Sequence, residues 1–434
     1  MLRALWLTDV LPQPVRRHLG QPAYPGPQAW VDRLAEELVR SGDVRVEIAA
    51  PCSTSFTPFE ASGVWYHGVP APPDGGRIGR ILQGWRHRLA APETLGAVGA
   101  LVARLRPDLV HVQGTESVLG PAAVAGTAPC LVSLQGLMQA CAPLYFAGRT
   151  PGDVARLVLS EDFVKGRGVA QGYVRYRQLA RQEAAVMRAG RWFVGRTDWD
   201  RAVLLATNPS ATYFHCDEIV RDEFWDADWA AAGGRRTRGP RLYSTASAMP
   251  FKGTETLLRA AALLLPDHPG LRMRVAGVPD GSEMDRLYRR AARRLGIDAA
   301  VDWLGRLDAA AIAAELEAAD AFVYPSHIDN SPNAVVEAML AGTPVVASFT
   351  GGIPSLLEDG AEGLLVPRGD APALAAAVRR LLDDRELAAR LGSAARARAR
   401  RRNDPARVTA RMTEIYREVV AAEHGAGRRM EVHS

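Results

Sequence analysis

The amino-acid sequence predicts an α/β protein built from two doubly wound parallel sheets, each in its own domain. Short apolar runs of strand length alternate with helical patterns through both halves of the 434 residues. Such alternation is typical of parallel sheets with helices on both faces. A stretch rich in Gly, Pro and Arg, residues 231–240, interrupts the pattern near the middle, as a linker does. The length also favours two or three domains, each with its own core.

In the first half, residues 2–8 are predicted as a buried strand and residues 29–40 as an amphipathic helix. Trp30, Leu34 and Leu38 recur there at four-residue spacing, which places them on one face of a helix. Further strands are predicted at residues 44–49, 109–112 and 130–134, with a helix ending near Leu105. Residues 137–188 have helical propensity but an irregular pattern. They are either an insertion over the cleft or several surface helices.

In the second half the alternation is regular. Strands are predicted at residues 242–245, 273–276, 301–304, 321–324 and 344–347, and helices at residues 254–265, 283–295, 309–319 and 332–341. The predicted domains are therefore residues 1–235 and 236–405. Residues 406–434 are expected to form a C-terminal helix, which can pack back on the first domain, and a disordered tail. A cleft is expected where the carboxyl ends of the strands face each other.

The composition is that of an ordinary globular protein, with a formal charge of +5 and a pI near 9.2. Arginine carries nearly all the positive charge and suits phosphate or carboxylate partners, although a solvated basic surface is the favoured explanation of the charge. The basic run at residues 388–402 is predicted as a solvated helix with an apolar side rather than a nucleic-acid arm. We expect no nucleic-acid partner.

The four cysteines, Cys52, Cys130, Cys141 and Cys216, are scattered and lack the spacing of a zinc or redox motif. No apolar run is long enough for a transmembrane helix, and the N-terminus lacks the features of a signal peptide. These features predict a cytoplasmic protein. They allow peripheral contact with the inner face of the membrane.

Residues 326–348 carry the densest group of functional candidates. Asp329 and Glu337 are two carboxylates separated by seven residues, and Ser331-Pro332 lies between them. Ser as N-cap and Pro at the first helical position predict a helix start. The free amides near Asn333 and Ala334 can then bind phosphate oxygens. A helix-borne carboxylate can accept two hydrogen bonds from a ribose diol, and a loop carboxylate can bind sugar hydroxyls.

This segment resembles the signature of family 4 retaining glycosyltransferases, the glycosyl transferases group 1, which have two Rossmann-like domains facing across a cleft (the GT-B fold). That family has two glutamates separated by seven residues, followed by Ala-Met, a Gly and a Pro-Val-Val strand. Residues 337–339, Gly342 and residues 344–346 match this order. Asp329 stands where the family has its first glutamate. Residues 351–354, Gly-Gly-Ile-Pro, also match.

Lys252-Gly253 is a second point of resemblance. The family places a Lys-Gly pair after the first strand of its second domain, and that lysine binds the donor diphosphate. An ammonium beside a helix N-terminus is a good anion site on physical grounds. The family usually has an arginine six residues earlier, whereas this chain has Ala246, with Ser247 beside it. Arg306 is one candidate for the missing positive charge.

Two further positions are assigned to donor binding by the resemblance. Leu304 and Gly305 end a strand at the place where the family contacts the nucleobase, largely through backbone groups. The family also has a glycine-rich loop after its first strand, whose amides approach the donor phosphate. Here that loop is Pro-Gly-Pro-Gln, and because proline has no amide proton, Gly26 and Gln28 are the expected donors.

In the first half, Gln135 occupies the position where many members carry a histidine near the reacting sugar. A Gln can hydrogen-bond sugar hydroxyls but does not titrate. His111 matches a common family residue at a strand end and is either structural or a ligand. Arg196 and Asp198 follow a predicted strand. Arg196 can bind an anionic group of donor or acceptor, whereas Thr197 or Asp198 can instead cap the next helix.

The resemblance implies transfer of a hexose-type sugar from a nucleoside-diphosphate donor to an acceptor hydroxyl, with retention of anomeric configuration. Lys252, Asp329 and Gln135 would be the catalytic residues. UDP is the expected nucleotide, with GDP or ADP as alternatives, and no metal or other cofactor is expected. The acceptor, a small molecule, a saccharide or a lipid-linked compound, and the oligomeric state stay open. Two alternatives are a sugar-nucleotide epimerase of similar fold and a catalytically silent nucleotide-sugar-binding scaffold.

Overall fold

The computed structural model describes residues 1–22, 29–71, 92–166, 168–232, 239–246 and 249–431. The chain divides into two compact units. Unit 1 comprises Met1–Gln139, Tyr176–Ile219 and Asn403–Ser434, and unit 2 comprises Ala140–Arg175 and Val220–Arg402. Among the described residues, no helix is both long and apolar enough to cross a membrane.

Strands and helices alternate along both units. The strands are β1 Leu2–Leu7, β2 Val44–Cys52, β3 Phe59–Ala61, β4 Val64–Pro70, β5 Leu109–Val112, β6 Cys130–Ser133, β7 Trp192–Gly195, β8 Thr212–His215, β9 Arg241–Thr245, β10 Arg272–Ala276, β11 Val301–Gly305, β12 Ala321–Tyr324, β13 Val345–Phe349 and β14 Leu364–Pro367. The helices are α1 Gln13–His18, α2 Ala29–Arg40, α3 Pro92–Leu105, α4 Gly120–Val124, α5 Met138–Cys141, α6 Pro151–Val158, α7 Glu161–Val164, α8 Val169–Ala189, α9 Asp198–Thr207, α10 Glu223–Asp226, α11 Thr254–Leu264, α12 Glu283–Arg294, α13 Ala309–Ala318, α14 Asn333–Ala341, α15 Ile353–Leu356, α16 Ala371–Asp383, α17 Arg385–Arg402 and α18 Pro405–Glu431.

Unit 1 is built on one sheet with the strand order β3-β4-β2-β1-β5-β6-β7-β8. All described pairs are parallel except the antiparallel pair β3–β4. Helix α2 buries Leu34 and Leu38 on its apolar face, as its spacing predicts. The C-terminal helix α18 belongs to the same core, because Val408, Met412 and Val419 share one face and are buried there.

Unit 2 is built on a fully parallel sheet with the order β11-β10-β9-β12-β13-β14. The chain starts at β9 in the middle, winds outward through β10 and β11, and returns to the other side at β12. The point where the order reverses therefore lies between β9 and β12. The predicted α/β class with two doubly wound parallel sheets is confirmed.

The unit boundaries differ from the predicted junction near residue 235. Residues 220–232 already pack in unit 2: the Trp229 backbone N–H donates to the Ala341 carbonyl at 2.9 Å and its Nε1–H to the Ala319 carbonyl at 2.6 Å. Phe224 is fully buried in the same unit. The composition of the Gly- and Pro-rich stretch suggested a junction there. However, Phe224 and Trp229, which precede this stretch, already pack in the core of unit 2. Residues 233–238 lie outside the described part of the chain.

Ala140–Arg175 also differs from the prediction, since it lies in the first half of the sequence but belongs to unit 2. It contains the short helices α6 and α7 and the first turns of α8. Leu157 joins the apolar core of unit 2, and Phe146 packs against that core. The segment is therefore an insertion whose apolar residues are buried far from their neighbours in sequence.

The basic run at residues 388–402 lies within helix α17, and this helix has the predicted apolar side. Leu391, Ala395 and Ala399 are buried along one face. Several of its arginines bind groups of unit 2: Arg396 pairs with Asp228 at 2.6 Å, and Arg398 pairs with Glu362 at 3.2 Å. These arginines are therefore engaged in tertiary contacts.

His111 connects the sheet of unit 1 to the C-terminal helix. It is fully buried on β5, with Nδ1 2.7 Å from the Tyr416 hydroxyl and Nε2 2.8 Å from the Ser133 hydroxyl. The neutral ring satisfies both contacts when Tyr416 donates to Nδ1 and Nε2–H donates to Ser133. Burial lowers the pKa of His111 to about 3. These contacts fit the structural interpretation of His111.

We predict that His111→Gln removes part of the acid sensitivity of folding. The unfolded histidine takes up a proton below its ordinary pKa of 6.5, whereas the folded one stays neutral until about pH 3. Its contribution to stability is therefore complete above about pH 6.5 and is lost as pH falls, by about 1.4 kcal/mol per pH unit. Between about pH 7.5 and pH 5, the wild type should lose about 2 kcal/mol more unfolding free energy than the variant.

Urea unfolding of both proteins at the two pH values measures this difference, in which any constant cost of the substitution cancels. His424→Gln, at an exposed histidine of α18, is the matched control and should follow the wild type. Equal acid losses in the wild type and His111→Gln would contradict the prediction.

Candidate functional site

The reversal point of the unit 2 sheet brings Lys252 and Asp329 together. β9 and β12 are adjacent and parallel, with Phe322 opposite Tyr243, so their carboxyl ends lie at the same edge. Lys252 ends a short 3₁₀ turn that follows β9, and Asp329 lies in the loop that follows β12. Ligands of doubly wound folds bind at this position, because the two connections leave in opposite directions and open a crevice.

Lys252, Asp329 and Tyr324 form a compact polar group. The Lys252 ammonium pairs with Asp329 Oδ2 and lies 3.0 Å from the Tyr324 hydroxyl, which donates to the same carboxylate oxygen at 2.5 Å. Burial by itself would lower the pKa of Lys252, but the attraction of Asp329 and Tyr324 outweighs it and raises that pKa above its ordinary value. Lys252 is therefore a fixed positive charge at neutral pH.

Two glycines allow the backbone to hold this pair. Gly253, directly after Lys252, has φ +74°, and a Cβ there would lie 1.8 Å from the Pro325 carbonyl oxygen. Gly351 has φ +54°, and a Cβ there would lie 1.9 Å from the Asp329 carbonyl oxygen, which also accepts the Gly352 N–H at 3.0 Å. Any side chain would push the loops apart. The two glycine motifs of the sequence thus fix the backbone around Lys252 and Asp329.

Helix α14 begins one residue later than predicted. Pro332, with φ −67° and ψ 114°, is the N-cap, and Asn333 is the first helical residue. The prediction of Ser331 as N-cap was wrong because the ψ of Pro332 is extended rather than helical. No described side chain caps this helix. The amides of Asn333 and Ala334 therefore lie in the first turn with no side-chain acceptor, as an anion site requires.

Glu337 lies on the second turn of α14 and is paired with Arg221. Arg221 Nη2 is 2.6 Å from Glu337 Oε1, and both side chains are largely buried. Burial raises the pKa of Glu337 above its ordinary value, although the Arg221 guanidinium opposes the rise. Sequence reasoning missed Arg221, because no local motif marks a residue 116 positions from its partner.

The residues predicted near the nucleobase lie at the carboxyl end of β11. Leu304 is half-buried, and the carbonyl of Gly305 accepts the Gly277 N–H at 2.6 Å. A Cβ on Gly277 would lie 2.0 Å from the Ala246 carbonyl oxygen. The ends of β9, β10 and β11 are therefore tightly packed. Arg306 is exposed beside them, and Ser247 lies outside the described residues.

In unit 1 the structure brings Gln135 and Arg196 together with Glu218, which sequence reasoning missed. Arg196 pairs with Glu218 and donates to Gln135 Oε1 at 2.9 Å, while Gln135 Nε2–H donates to Glu218 at 2.9 Å. The three side chains line a small cavity at the carboxyl ends of β6, β7 and β8. Arg196 is thus already neutralised by a carboxylate. Gly26 and Gln28 lie outside the described residues.

Asp198 is exposed at the first position of α9. Thr197 is the N-cap of this helix: its hydroxyl accepts the Asp200 N–H at 3.0 Å, and the Asp200 carboxylate accepts the Thr197 N–H at 3.2 Å. The capping interpretation of this segment is therefore confirmed for Thr197.

Two family models match the chain, one on each half. The model of the glycosyl transferases group 1 matches residues 227–398, which include Lys252, Asp329 and Glu337. The model of the glycosyl transferase 4-like domain matches residues 26–198.

The D-inositol 3-phosphate glycosyltransferase of Corynebacterium efficiens is 34% identical over 208 residues, which are 46% of this chain and 49% of that protein. The chain thus spans about half the length of the curated relatives it matches.

Solved structures match nearly the whole chain. Sucrose-phosphate synthase of Thermosynechococcus elongatus has a TM-score of 0.73 at 20% identity, covering 97% of this chain and 100% of that one. HepE of Anabaena, solved with UDP-glucose, has a TM-score of 0.67 at 16% identity, covering 95% and 99%.

The structural likeness shows the GT-B fold, and the two family models match in the order that this fold has. Neither the models nor the relatives favour the epimerase or the silent scaffold. Residues 227–398 therefore belong to the glycosyl transferases group 1, and residues 26–198 belong to the glycosyl transferase 4-like domains.

Proposed function

We propose that this protein transfers a hexose-type sugar from a nucleoside-diphosphate donor to an acceptor hydroxyl, with retention of anomeric configuration. One observation carries the proposal: Lys252 is held protonated beside Asp329 at the reversal point of the unit 2 sheet. A diphosphate there would meet the ammonium. UDP is the proposed nucleotide, supported by HepE, which was solved with UDP and with UDP-glucose.

The nucleoside and the diphosphate have separate sites in this proposal. Glu337 accepts hydrogen bonds from the ribose diol, and the carboxyl end of β11, with Leu304 and Gly305, lies against the base. Lys252 and the amides of Asn333 and Ala334 bind the diphosphate. Positive charge and uncapped amides together favour the phosphate oxygens.

The ion pair between Lys252 and Asp329 suggests how the sugar is held. A bound diphosphate competes with Asp329 for the ammonium, because both are anions. Asp329 is then able to accept hydrogen bonds from sugar hydroxyls, while Tyr324 keeps its carboxylate near Lys252. These contacts thus prepare both groups for a donor that carries phosphate and hydroxyls side by side.

Catalysis in this proposal rests on stabilising the charge of the leaving diphosphate and on positioning. As the bond from the anomeric carbon to the phosphate oxygen breaks, negative charge grows on that phosphate, next to Lys252. The phosphate oxygen takes the proton of the acceptor hydroxyl as the new bond forms on the same face. The lysine and the amides supply the positive charge, so we propose that no metal ion is needed.

The acceptor is proposed to meet unit 1, where Gln135, Arg196 and Glu218 offer hydrogen-bonding groups. Because Glu218 neutralises Arg196, this cluster suits hydroxyls better than a free anion. Gln135 remains the proposed partner of the reacting sugar.

We predict that Lys252→Ala lowers kcat by about 100-fold or more, since a donor to the developing charge contributes about that much in other enzymes. Lys165→Ala is the matched control: it removes the chain's other lysine, which pairs with Glu161 in α7. Turnover of a labelled donor, with and without a chelator, measures both variants. A near-normal kcat for Lys252→Ala would exclude its proposed role.

We predict that Glu337→Ala weakens nucleoside-diphosphate binding by about tenfold or more, the loss expected for charge-assisted hydrogen bonds. Thermal shifts with UDP, GDP, ADP and TDP first identify the base, since a ligand that binds the folded state raises its Tm. Titration calorimetry with that nucleotide then measures the affinity.

Glu315→Ala is the control for this measurement, because Glu315 also pairs with arginines of unit 2, Arg241 and Arg274, but lies on α13. Its affinity for the nucleotide should equal that of the wild type. The ribose assignment would be refuted if Glu337→Ala bound every nucleoside diphosphate as tightly as the wild type.

A further inference from the structure

The inserted segment Ala140–Arg175 is anchored in unit 2 at several points. The Tyr145 ring lies 6.0 Å from the ring of Phe251, the residue before Lys252. At the other end of the segment, the Val169 N–H donates to Glu283 at 2.6 Å. The segment thus packs directly against the loop that carries the donor lysine.

Arg149 is a charged residue of this segment that is buried in unit 2. Its side chain is 2% exposed and pairs with Glu255, which is 6% exposed, in the first turn of α11. A second contact joins Arg149 Nη2 to the Pro250 carbonyl at 3.4 Å, and the guanidinium lies 5.1 Å from the centroid of the Tyr288 ring. Burying a guanidinium is costly, and the contacts with Glu255 and the Pro250 carbonyl offset that cost.

Glu255 also contacts the loop that carries Asp329, through His327. His327 Nε2 lies 2.5 Å from Glu255 Oε1, and His327 is also buried. The His327 backbone N–H donates to the Phe251 carbonyl at 2.8 Å, and its carbonyl accepts the Thr350 hydroxyl at 2.9 Å. His327 is therefore held between Phe251, the residue before Lys252, and Thr350, the residue before Gly351.

Gly148 shows how closely the segment fits this pair. It has φ +75°, and a Cβ there would lie 1.8 Å from Glu255 Oε1 and 2.5 Å from His327 Nε2. The backbone at Gly148 thus packs against the contact between Glu255 and His327, and Arg149 pairs with Glu255 beside it. The turn leaves no room for any side chain at this point.

We propose that Arg149 is a positioning residue for the donor diphosphate, acting through Glu255 and His327 on the loops of Lys252 and Asp329. This inference rests on the proposed function. The inserted segment is then a built-in support of the diphosphate half of the site. The nucleoside half, Glu337 on α14 and the end of β11, is held by other contacts. Arg149 should therefore affect the diphosphate and not the nucleoside.

Loss of Arg149 removes the guanidinium partner of the buried Glu255 carboxylate and leaves the contacts with His327 and the Thr256 hydroxyl. Burial would raise the pKa of Glu255, and at present His327 and Arg149 outweigh burial and keep that pKa below its ordinary value. Without the guanidinium, we expect the Glu255 carboxylate and the His327 ring to rearrange. This change would move the loop that carries Asp329, two residues after His327.

The test compares the affinities of the full chain for UDP and for uridine, or for the diphosphate and nucleoside of the base identified by thermal shift. Arg149→Ala should lose about tenfold or more in affinity for UDP and less than about twofold for uridine, and Arg149→Lys should recover part of the UDP affinity. Arg156→Ala, at an exposed arginine of the same segment paired with Asp153, is the matched control and should bind both as the wild type does.

A purely structural role would weaken UDP and uridine binding equally or lower only the Tm, and either result would overturn the inference. If Arg149→Ala does not fold, Arg149→Lys decides in the same way, because a lysine keeps the charge but cannot span both Glu255 and Pro250. A wild type that binds no nucleoside diphosphate overturns the proposed function itself, and this inference with it. If the wild type binds UDP but Arg149→Ala shows no selective loss of UDP affinity, only this inference is overturned.

Discussion

The ion pair between Lys252 and Asp329 is the interaction on which the reversal point of the unit 2 sheet depends. It forms because β9 and β12 are adjacent strands of the sheet, although Lys252 and Asp329 are 77 positions apart in the sequence. Gly253 and Gly351 then let each loop approach the other's backbone. Because burial makes an unpaired charge costly, each partner holds the other in place. Sheet order, glycine placement and charge pairing thus all contribute to the position of Lys252 beside Asp329.

Much of the fold was predictable because its signals are local. The apolar spacing of α2 gave its bounds, Ala29–Arg40, and the short apolar runs of unit 2 gave strands to within one or two residues. The insertion was not predictable in the same way. Arg149 and Phe146 contact residues about a hundred positions away, and no periodicity within residues 137–188 reveals which core receives them.

The same distinction between local and distant signals separates the site residues that the sequence predicted from those that it missed. Lys252, Asp329 and Glu337 could be found because each lies in a short motif with a helix start or a glycine beside it. Arg221, Glu218 and Arg149 could not, since each is defined by a partner distant in sequence. Ser331 failed as a cap for a subtler reason: Ser-Pro is a good start in general, but here the helical geometry begins only after the proline.

The chemistry of the chain's cations supports the assignment of Lys252. The chain has 53 lysines and arginines, and only Lys165 and Lys252 are lysines. An ammonium is compact and carries its charge at one point, whereas a guanidinium is a broad fork that binds a carboxylate with two parallel hydrogen bonds. Nζ of Lys252 lies 5.6 Å and 5.7 Å from the ring centroids of Phe251 and Tyr324 and carries its charge at one point there. In the proposed function, this point charge exchanges the Asp329 carboxylate for a phosphate of the donor.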